Sequence, residues 1–352
     1  MPGVRRREGR FREELGLSLD PRARGRLREL ALEAGFHRAG FVDPGLAEAA
    51  AARVPPAAAG LDWEWITGAS AWRHSCSILV CCLSCLRREP DDLGSPGDPH
   101  ALVAPFARAH YYRQAVTMLR AASRRFEQEC GLTAGSVRLF SNSRLPERAL
   151  LEASGLGAYG RNGCAIVAGL GSLFVIAGAI LPIPTPESSP ASPAPDPCGS
   201  CRRCSRACPA AALDEPYIVR RDRCLQEVAA GLAPWDAQTM ERWGLRLYGC
   251  QDCQACCPRN ADLGELAPPA AGEIGPSLSI NALLSGDDES LRSRFRGTAL
   301  GMSWVPRDAL LRNALVAAGN RRDPALRPAV ERYLAHGTPA VREAAAWALG
   351  RL

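Results

Sequence analysis

The chain has 352 residues, 47% of them hydrophobic and 23% charged, the balance of a folded protein of two or three domains rather than a disordered one. Its formal charge is +6, and it contains no Lys at all, which excludes Schiff-base chemistry and a Walker-type phosphate lysine. The 15 Cys of this long chain, with no apolar run after the basic first ten residues, read as reduced thiols of a cytoplasmic protein and hence as metal ligands, not as a disulfide scaffold. Five His and no H-E-x-x-H speak against a zinc hydrolase.

In chain order, residues 18–36 are predicted as a helix, with Ser18 or Asp20 as cap, Pro21 in the first turn and Gly35 after its end. Strands are expected over 37–42 and over the apolar run 77–86. A long helix is expected over 107–130, stopped by Gly131, then a strand over 137–140 and a helix over 146–154, stopped by Gly155. The uncharged run 165–182 nearly reaches the about 20 residues of a membrane span. Gly169-Leu170-Gly171 and its β-branched residues predict instead two buried strands around a turn. The mixture of strands and helices predicts an α/β or α+β core over 1–183.

Residues 184–197, rich in Pro, Ser and Ala, are expected to be an extended connector. A Cys-dense segment occupies 198–260, and 261–290 reads as an irregular linker. Over 291–352 the pattern is helical. Leu326, Val330, Tyr333 and Leu334 form one apolar stripe, and Val341, Ala344, Ala345, Ala348 and Leu349 the next, resembling one HEAT-type repeat. This last segment holds 11 Arg against four acidic residues. Arg292, Arg294, Arg296, Arg321 and Arg322 are its dense points, readable as a phosphate-binding surface or as a solvated face.

Cys198, Cys201, Cys204 and Cys208-Pro209 form C-x2-C-x2-C-x3-C-P, the bacterial two-cluster ferredoxin spacing, in which the fourth Cys ligates the other cluster. Cys250, Cys253 and Cys257-Pro258 form a second copy without its third position, and the isolated Cys224 can complete it. The ligand count then closes on two [4Fe–4S] clusters, one held by Cys198, Cys201, Cys204 and Cys257, the other by Cys208, Cys224, Cys250 and Cys253. Zinc, which also takes four thiolates, is the alternative. Cys256 is out of register and is expected to be free. Cys76, Cys81, Cys82, Cys85, Cys130 and Cys164 read as small core residues; a third metal site from Cys81, Cys82 and Cys85 is disfavoured because alternate strand residues face opposite ways.

The segments CGSCRRCSRACP, RDRCLQE and YGCQDCQACCPRN, together with LRELALEAGFHRAGF, FARAHYYRQAV, LPERALLEASGLGAYGRNGCAIV and LLRNALVAAGN, resemble the epoxyqueuosine reductases, cobalamin-dependent iron–sulfur enzymes of queuosine biosynthesis. The resemblance implies an α+β protein with a nitroreductase-like cobalamin-binding core, a ferredoxin-like double-cluster domain and a carboxy-terminal α-helical HEAT-like repeat. It implies electron flow through the clusters to cobalamin, removal of the epoxide oxygen, and a proton from a protein acid. It further implies the tRNA anticodon stem-loop as substrate, an electron donor such as ferredoxin or flavodoxin, and a monomer that does not engage a membrane. Gly157, Tyr159, Gly160 and Asn162 fall in the segment matched to the corrinoid-binding part of the family. Asp98-Pro99-His100 comes nearest to a D-x-H-x-x-G lower-ligand motif but lacks its Gly.

Two departures stand out. The family's proton-donor Asp lies six residues before the Glu of its Glu-Arg pair; counting back from Glu147 gives Ser141, beside Asn142. Neither carries a carboxyl group that could be tuned for acid catalysis. Arg161 replaces the family's Lys. Two further readings therefore stand beside the reductase: a divergent paralogue that binds corrinoid or transfers electrons, and a cobalamin-dependent reductase of a small molecule.

Overall fold

A computed structural model describes residues 23–42, 46, 76–87, 94–95, 97–143, 145–183, 194–268 and 273–352. The expected caps Ser18, Asp20 and Pro21 and most of the 184–197 connector lie outside these residues. The first half comprises Ala23–Glu33 (α1), Arg38–Val42 (β1), Ser77–Ser84 (β2), Gly94–Ser95 (β3), Asp98–Val103 (β4) and Tyr111–Glu129 (α2). Arg138–Ser141 (β5), Glu147–Ala153 (α3), Gly157–Tyr159 (β6), Ala165–Val167 (β7) and Phe174–Leu181 (β8) follow. The chain divides into two compact units, one from residues 1–84, 112–160 and 164–199, the other from 85–111, 161–163 and 200–352.

The first unit is built on an antiparallel sheet of order β1-β2-β8-β5. Its central pair runs in unbroken register from Ser77↔Leu181 to Ser84↔Phe174. Every residue of β2 is buried, as expected of a strand covered on both faces. The apolar run 165–182 is thus two strands about the Gly169–Gly171 turn, and no described helix is long and apolar enough to cross a membrane. Cys81 and Cys82 are neighbours in β2, so their side chains leave on opposite faces. Burial pushes the Cys82 thiol up to about 12 and that of Cys81 well above its usual value. Both are core residues, and among the described residues no three His, Cys, Asp or Glu converge on a single metal ion. The long helix begins at Tyr111 rather than 107, because Pro105–Ala107 takes a tighter 3-10 turn.

The second unit contains Arg203–Ala207 (α4), Leu225–Val228 (α5), Ala237–Trp243 (α6), Arg246–Tyr248 (β9), Asp252–Ala255 (α7) and Pro258–Ala261 (α8). Ser277–Ser279 (β10), Ile280–Ser285 (α9), Asp288–Phe295 (α10), Arg307–Arg321 (α11), Arg327–Glu331 (α12) and Pro339–Leu349 (α13) complete it. Here two expectations are corrected. The stretch 261–290 is not irregular throughout: β10 pairs antiparallel with β4, and Ser279 caps α9 by accepting from the Ala282 amide. The alternation Ser-Leu-Ser that makes this strand is too short to stand out, and the strand exists because β4 offers it an edge. Leu334 is not part of the apolar stripe. Helix α12 stops at Glu331, so Leu326, Val330 and Tyr333 are buried while Leu334 is 46% exposed. Asp98 and His100 face β10: His100 Nδ1 meets Ser277 Oγ at 2.8 Å, Nε2 meets Asp98 Oδ2 at 3.1 Å, and Ser279 Oγ donates to Asp98 Oδ1 at 2.5 Å.

The hub of this unit is α11, buried continuously from Ala309 to Gly319. Helix α13 crosses it with a face of Ala340, Val341, Ala344, Ala345 and Ala348. The approach is so close that a Cβ on Gly319 would lie 2.6 Å from the Trp347 ring and 2.8 Å from the Ala348 Cα. Gly319→Val should therefore destabilise the protein by about 1–3 kcal/mol, the usual cost of overpacking, read as a lower thermal midpoint. Gly337→Ala, whose new methyl meets nothing within 4 Å, should leave the midpoint within error of wild type.

Candidate functional site

The cysteine segment is a series of one-turn helices whose ends carry the thiols. Cys208 ends α4, and Pro209, which cannot continue a helix, follows it. Cys224 is the N-cap residue of α5. Cys253 lies within α7, and Cys257 precedes α8, with Pro258 at the position where a missing N–H costs nothing. The Arg246 guanidinium grips both oxygens of Asp252 at 2.7 and 2.6 Å, fixing the start of α7.

Cys224 lies near both Cys253 and Cys208, and Cys250 lies near Cys253. Burial raises the Cys224 thiol, and the nearby Cys253 and Cys208 raise it further. Burial raises Cys250 to about 11, and Cys253 again adds to it. The Ala212 amide donates to Cys208 Sγ at 3.3 Å, and hydrogen bonds to sulfur are one lever on a cluster's potential. The Cys250 amide donates to Gln226 Oε1 at 3.1 Å, tying it to the helix that Cys224 begins. Cys204 and Cys257 meet around Cys256: burial first, then Cys204, Cys253 and Cys257, push the Cys256 thiol up to about 11. Cys256 Sγ donates to the Cys253 carbonyl at 3.6 Å. Cys198 belongs to the preceding stretch of chain, where Asp196 accepts from the Cys198 and Gly199 amides. Half-buried thiols of this kind, deprotonated on loading, suit a cluster.

The residues matched to the corrinoid segment all have partners within the fold. Gly157 is needed where β6 meets β7, because a Cβ there would collide with the Ile166 carbonyl oxygen. The Arg148 guanidinium lies 5.8 Å from the Tyr159 ring centre. The Gly160 amide donates to the Cys164 carbonyl at 2.7 Å, and Asn162 Nδ2 to the Cys253 carbonyl at 3.4 Å. Asn162 thus serves the cysteine segment, a role its sequence position does not reveal.

Ser141, at the end of β5, donates its hydroxyl to the Ile176 carbonyl at 2.6 Å. The following Asn142 adopts a left-handed backbone with φ 49°. Glu147, the first residue of α3, closes this loop: its Oε1 accepts from the Ser143 amide at 2.8 Å and the Ser143 hydroxyl at 3.1 Å. Burial lifts the Glu147 carboxyl to about 7 against these hydrogen bonds, which pull it down.

Residues 197–260 match the 4Fe-4S double cluster binding domain family. The epoxyqueuosine reductase of Bacillus subtilis (strain 168) is 31% identical over 222 residues, 61% of this chain and 55% of that enzyme. That of Burkholderia pseudomallei is 31% identical over 63% of this chain and 56% of the relative. The match to the Xanthomonas campestris enzyme is 29% identical and covers 94% of this chain and 96% of that one. The chain is similar to the epoxyqueuosine reductases, and it spans about half the length of the Bacillus and Burkholderia relatives. A selenomethionine-labelled epoxyqueuosine reductase superposes with a TM-score of 0.78 over 93% of this chain and 90% of that one at 23% identity. A second, solved with an epoxyqueuosine-modified tRNA-Tyr stem loop, gives 0.76 over 93% and 89% at 22% identity. These likenesses establish the mixed helix-and-sheet fold, and two [4Fe–4S] clusters are the cofactors of the family's double-cluster domain.

Glu147 yields a pH prediction. Its carboxyl titrates higher in the folded chain than its ordinary value of 4.5, so the folded state holds the extra proton. The stability this gives is full below about 4.5 and is lost as pH rises toward 7. Glu147→Gln keeps the acceptor oxygen and removes the titration. Its stability relative to wild type should rise between pH 5 and 7 by at most about 1.4 kcal/mol per pH unit, measured by denaturant unfolding.

Proposed function

We propose that the chain is an oxidoreductase that reduces epoxyqueuosine in tRNA to queuosine. What carries the reading is the set Cys208, Cys224, Cys250 and Cys253, drawn from three stretches of a chain that aligns over 94% of its length with an epoxyqueuosine reductase. The second cluster is assigned to these four, the first to Cys198, Cys201, Cys204 and Cys257 on spacing. When bound, two such clusters supply electrons one at a time. An epoxide that takes two electrons and two protons loses its oxygen as water and leaves a double bond. Ser141 has its hydroxyl committed to Ile176, so the proton source this loop offers is Glu147. The resemblance also implies cobalamin, with Gly157, Tyr159, Gly160 and Asn162 as its candidate residues.

The finer architecture belongs to the same proposal: a nitroreductase-like core over 1–183, a connector over 184–197, a ferredoxin-like domain over 198–260 and a HEAT-like repeat within 291–352. So do a cytoplasmic monomer, a ferredoxin or flavodoxin as electron donor, and the anticodon stem-loop as the part of tRNA that is held. Arg292, Arg294, Arg296, Arg321 and Arg322 are exposed, in keeping with contacts to phosphate. The commitment of Ser141 favours the second reading, an electron-transfer paralogue or a small-molecule reductase.

Mass spectrometry of tRNA from a deletion strain separates the two. Accumulated epoxyqueuosine is the expected result, and unchanged queuosine would assign the chain to the second reading. Anaerobically purified protein should hold about eight iron and eight sulfide. Cys224→Ala should lose one cluster and keep the other, and Cys256→Ala should lose neither; full retention by Cys224→Ala would refute the partition. Arg321→Glu with Arg322→Glu should weaken tRNA binding and lower its salt slope by roughly one to two units, with iron content unchanged.

A further inference from the structure

We infer that Arg312 and Asn313 are positioning residues for the second cluster, a backbone clamp that sets the separation of Cys224 from Cys250. The inference rests on reading Cys208, Cys224, Cys250 and Cys253 as one cluster's ligands.

Arg312 and Asn313 are the two polar residues inside the apolar run of α11, and both are 0% exposed. A buried charge is costly unless it is paired or fully hydrogen-bonded. Among the described residues no carboxylate pairs with Arg312; backbone carbonyls meet it instead. Its Nη1 donates to Gly231 at 2.6 Å and Ala233 at 3.3 Å, its Nη2 to Val228 at 3.3 Å and Ala229 at 2.9 Å. The guanidinium also lies 3.7 Å from the Trp235 ring centre, a stacking that Lys would not reproduce. Nε and Nη2 reach Asn313 Oδ1 at 3.1 and 2.8 Å, which aims the Asn313 amide. That amide donates to the Ala229 carbonyl at 3.2 Å and the Leu247 carbonyl at 2.9 Å.

The carbonyls gripped lead directly to thiols. Val228 ends, and Ala229 follows, the helix capped by Cys224, whose carbonyl accepts from the Val228 amide at 3.1 Å. Leu247 lies in β9, three residues before Cys250. The ring closes on the other side, where the Cys250 amide donates to Gln226. One continuous circuit thus runs Cys224, Ala229, Asn313, Leu247, Cys250, Gln226 and back to Cys224. Among the described residues its long-range fastenings are the Asn313 amide and the Gln226 side chain, and Arg312 holds the former in place.

The test is iron, sulfide and electron paramagnetic resonance on anaerobically purified full-length protein. Wild type should hold about eight iron. Asn313→Asp keeps the acceptor for Arg312 and removes only the two donated bonds. Arg312→Met keeps the stem and removes the carbonyl contacts. Each should lose about half the iron, leaving one cluster with its wild-type spectrum. Where the second cluster survives, its midpoint potential should shift while that of the first does not. Tyr333→Phe, which removes a buried bond to the Leu284 carbonyl far along the chain, should lower the thermal midpoint and leave both clusters in place. If Arg312→Met does not fold, Asn313→Asp decides. Full iron with wild-type spectra and potentials in the Asn313→Asp protein would overturn the inference. So would equal loss from both clusters, or the same loss in Tyr333→Phe. A wild type with no cubane would instead sink the reading of the eight cysteines.

Discussion

A helix buried on all sides can carry polar groups only where acceptors come to meet them. Helix α11 satisfies this with three residues, and all three reach backbone rather than side-chain partners beyond themselves. Arg312 takes the carbonyls of 228–233, Asn313 those of Ala229 and Leu247, and Asn320 those of Met240 and Gly244 at 2.8 and 3.0 Å. Each backbone segment so held belongs to the stretch between Cys224 and Cys250. The carboxy-terminal helices are therefore not an appendage to the cysteine segment, since their central helix supplies the donors that its loops lack. Because the partners are carbonyls, the grip of α11 depends chiefly on the path of the backbone along 228–247.

The first unit follows a different rule. Its sheet is held by the long, fully buried pairing of β2 with β8, and its polar chemistry is pushed to the margin, at the end of β5 and the loop before α3. There Glu147 serves as a local brace for Ser143. The same burial that makes it a brace makes it hold a proton near neutrality. A carboxylate in this place would be stable enough in water, but here, among the described residues, its charge meets one amide, one hydroxyl and the Asn142 backbone.

Much of this was legible in the residues. The C-x2-C-x2-C-x3-C-P run and its incomplete copy carry their own ligand arithmetic, and the structure brings Cys224 to Cys208 and Cys253. Gly-Leu-Gly at 169–171 correctly divides an apolar run into two strands. What escaped was set by tertiary contact. Strand β10 has three residues and exists because β4 offers it an edge. Leu334 continues the helical period on paper, yet the helix has already ended. The bond from the Asn162 amide to the Cys253 carbonyl, 91 residues on, left no trace in the sequence. The pair Arg312-Asn313 did leave a signal, two polar residues in a run otherwise of Leu, Ala, Val and Gly, but their partners lie about 80 residues earlier in the chain.

The cysteines differ in burial, and Cys130 and Cys164, expected in the core, are only half-buried. Cys81 and Cys82 are sealed in β2 with thiols that hold their protons, and Cys85 just beyond it is raised to about 12. The cysteines of 198–257 are only half-buried. Thiolate is the form that binds iron and the form that oxidants attack. The buried thiols of the sheet are out of reach of iron and oxidants alike, whereas the partial exposure of 198–257 leaves its thiols accessible to both.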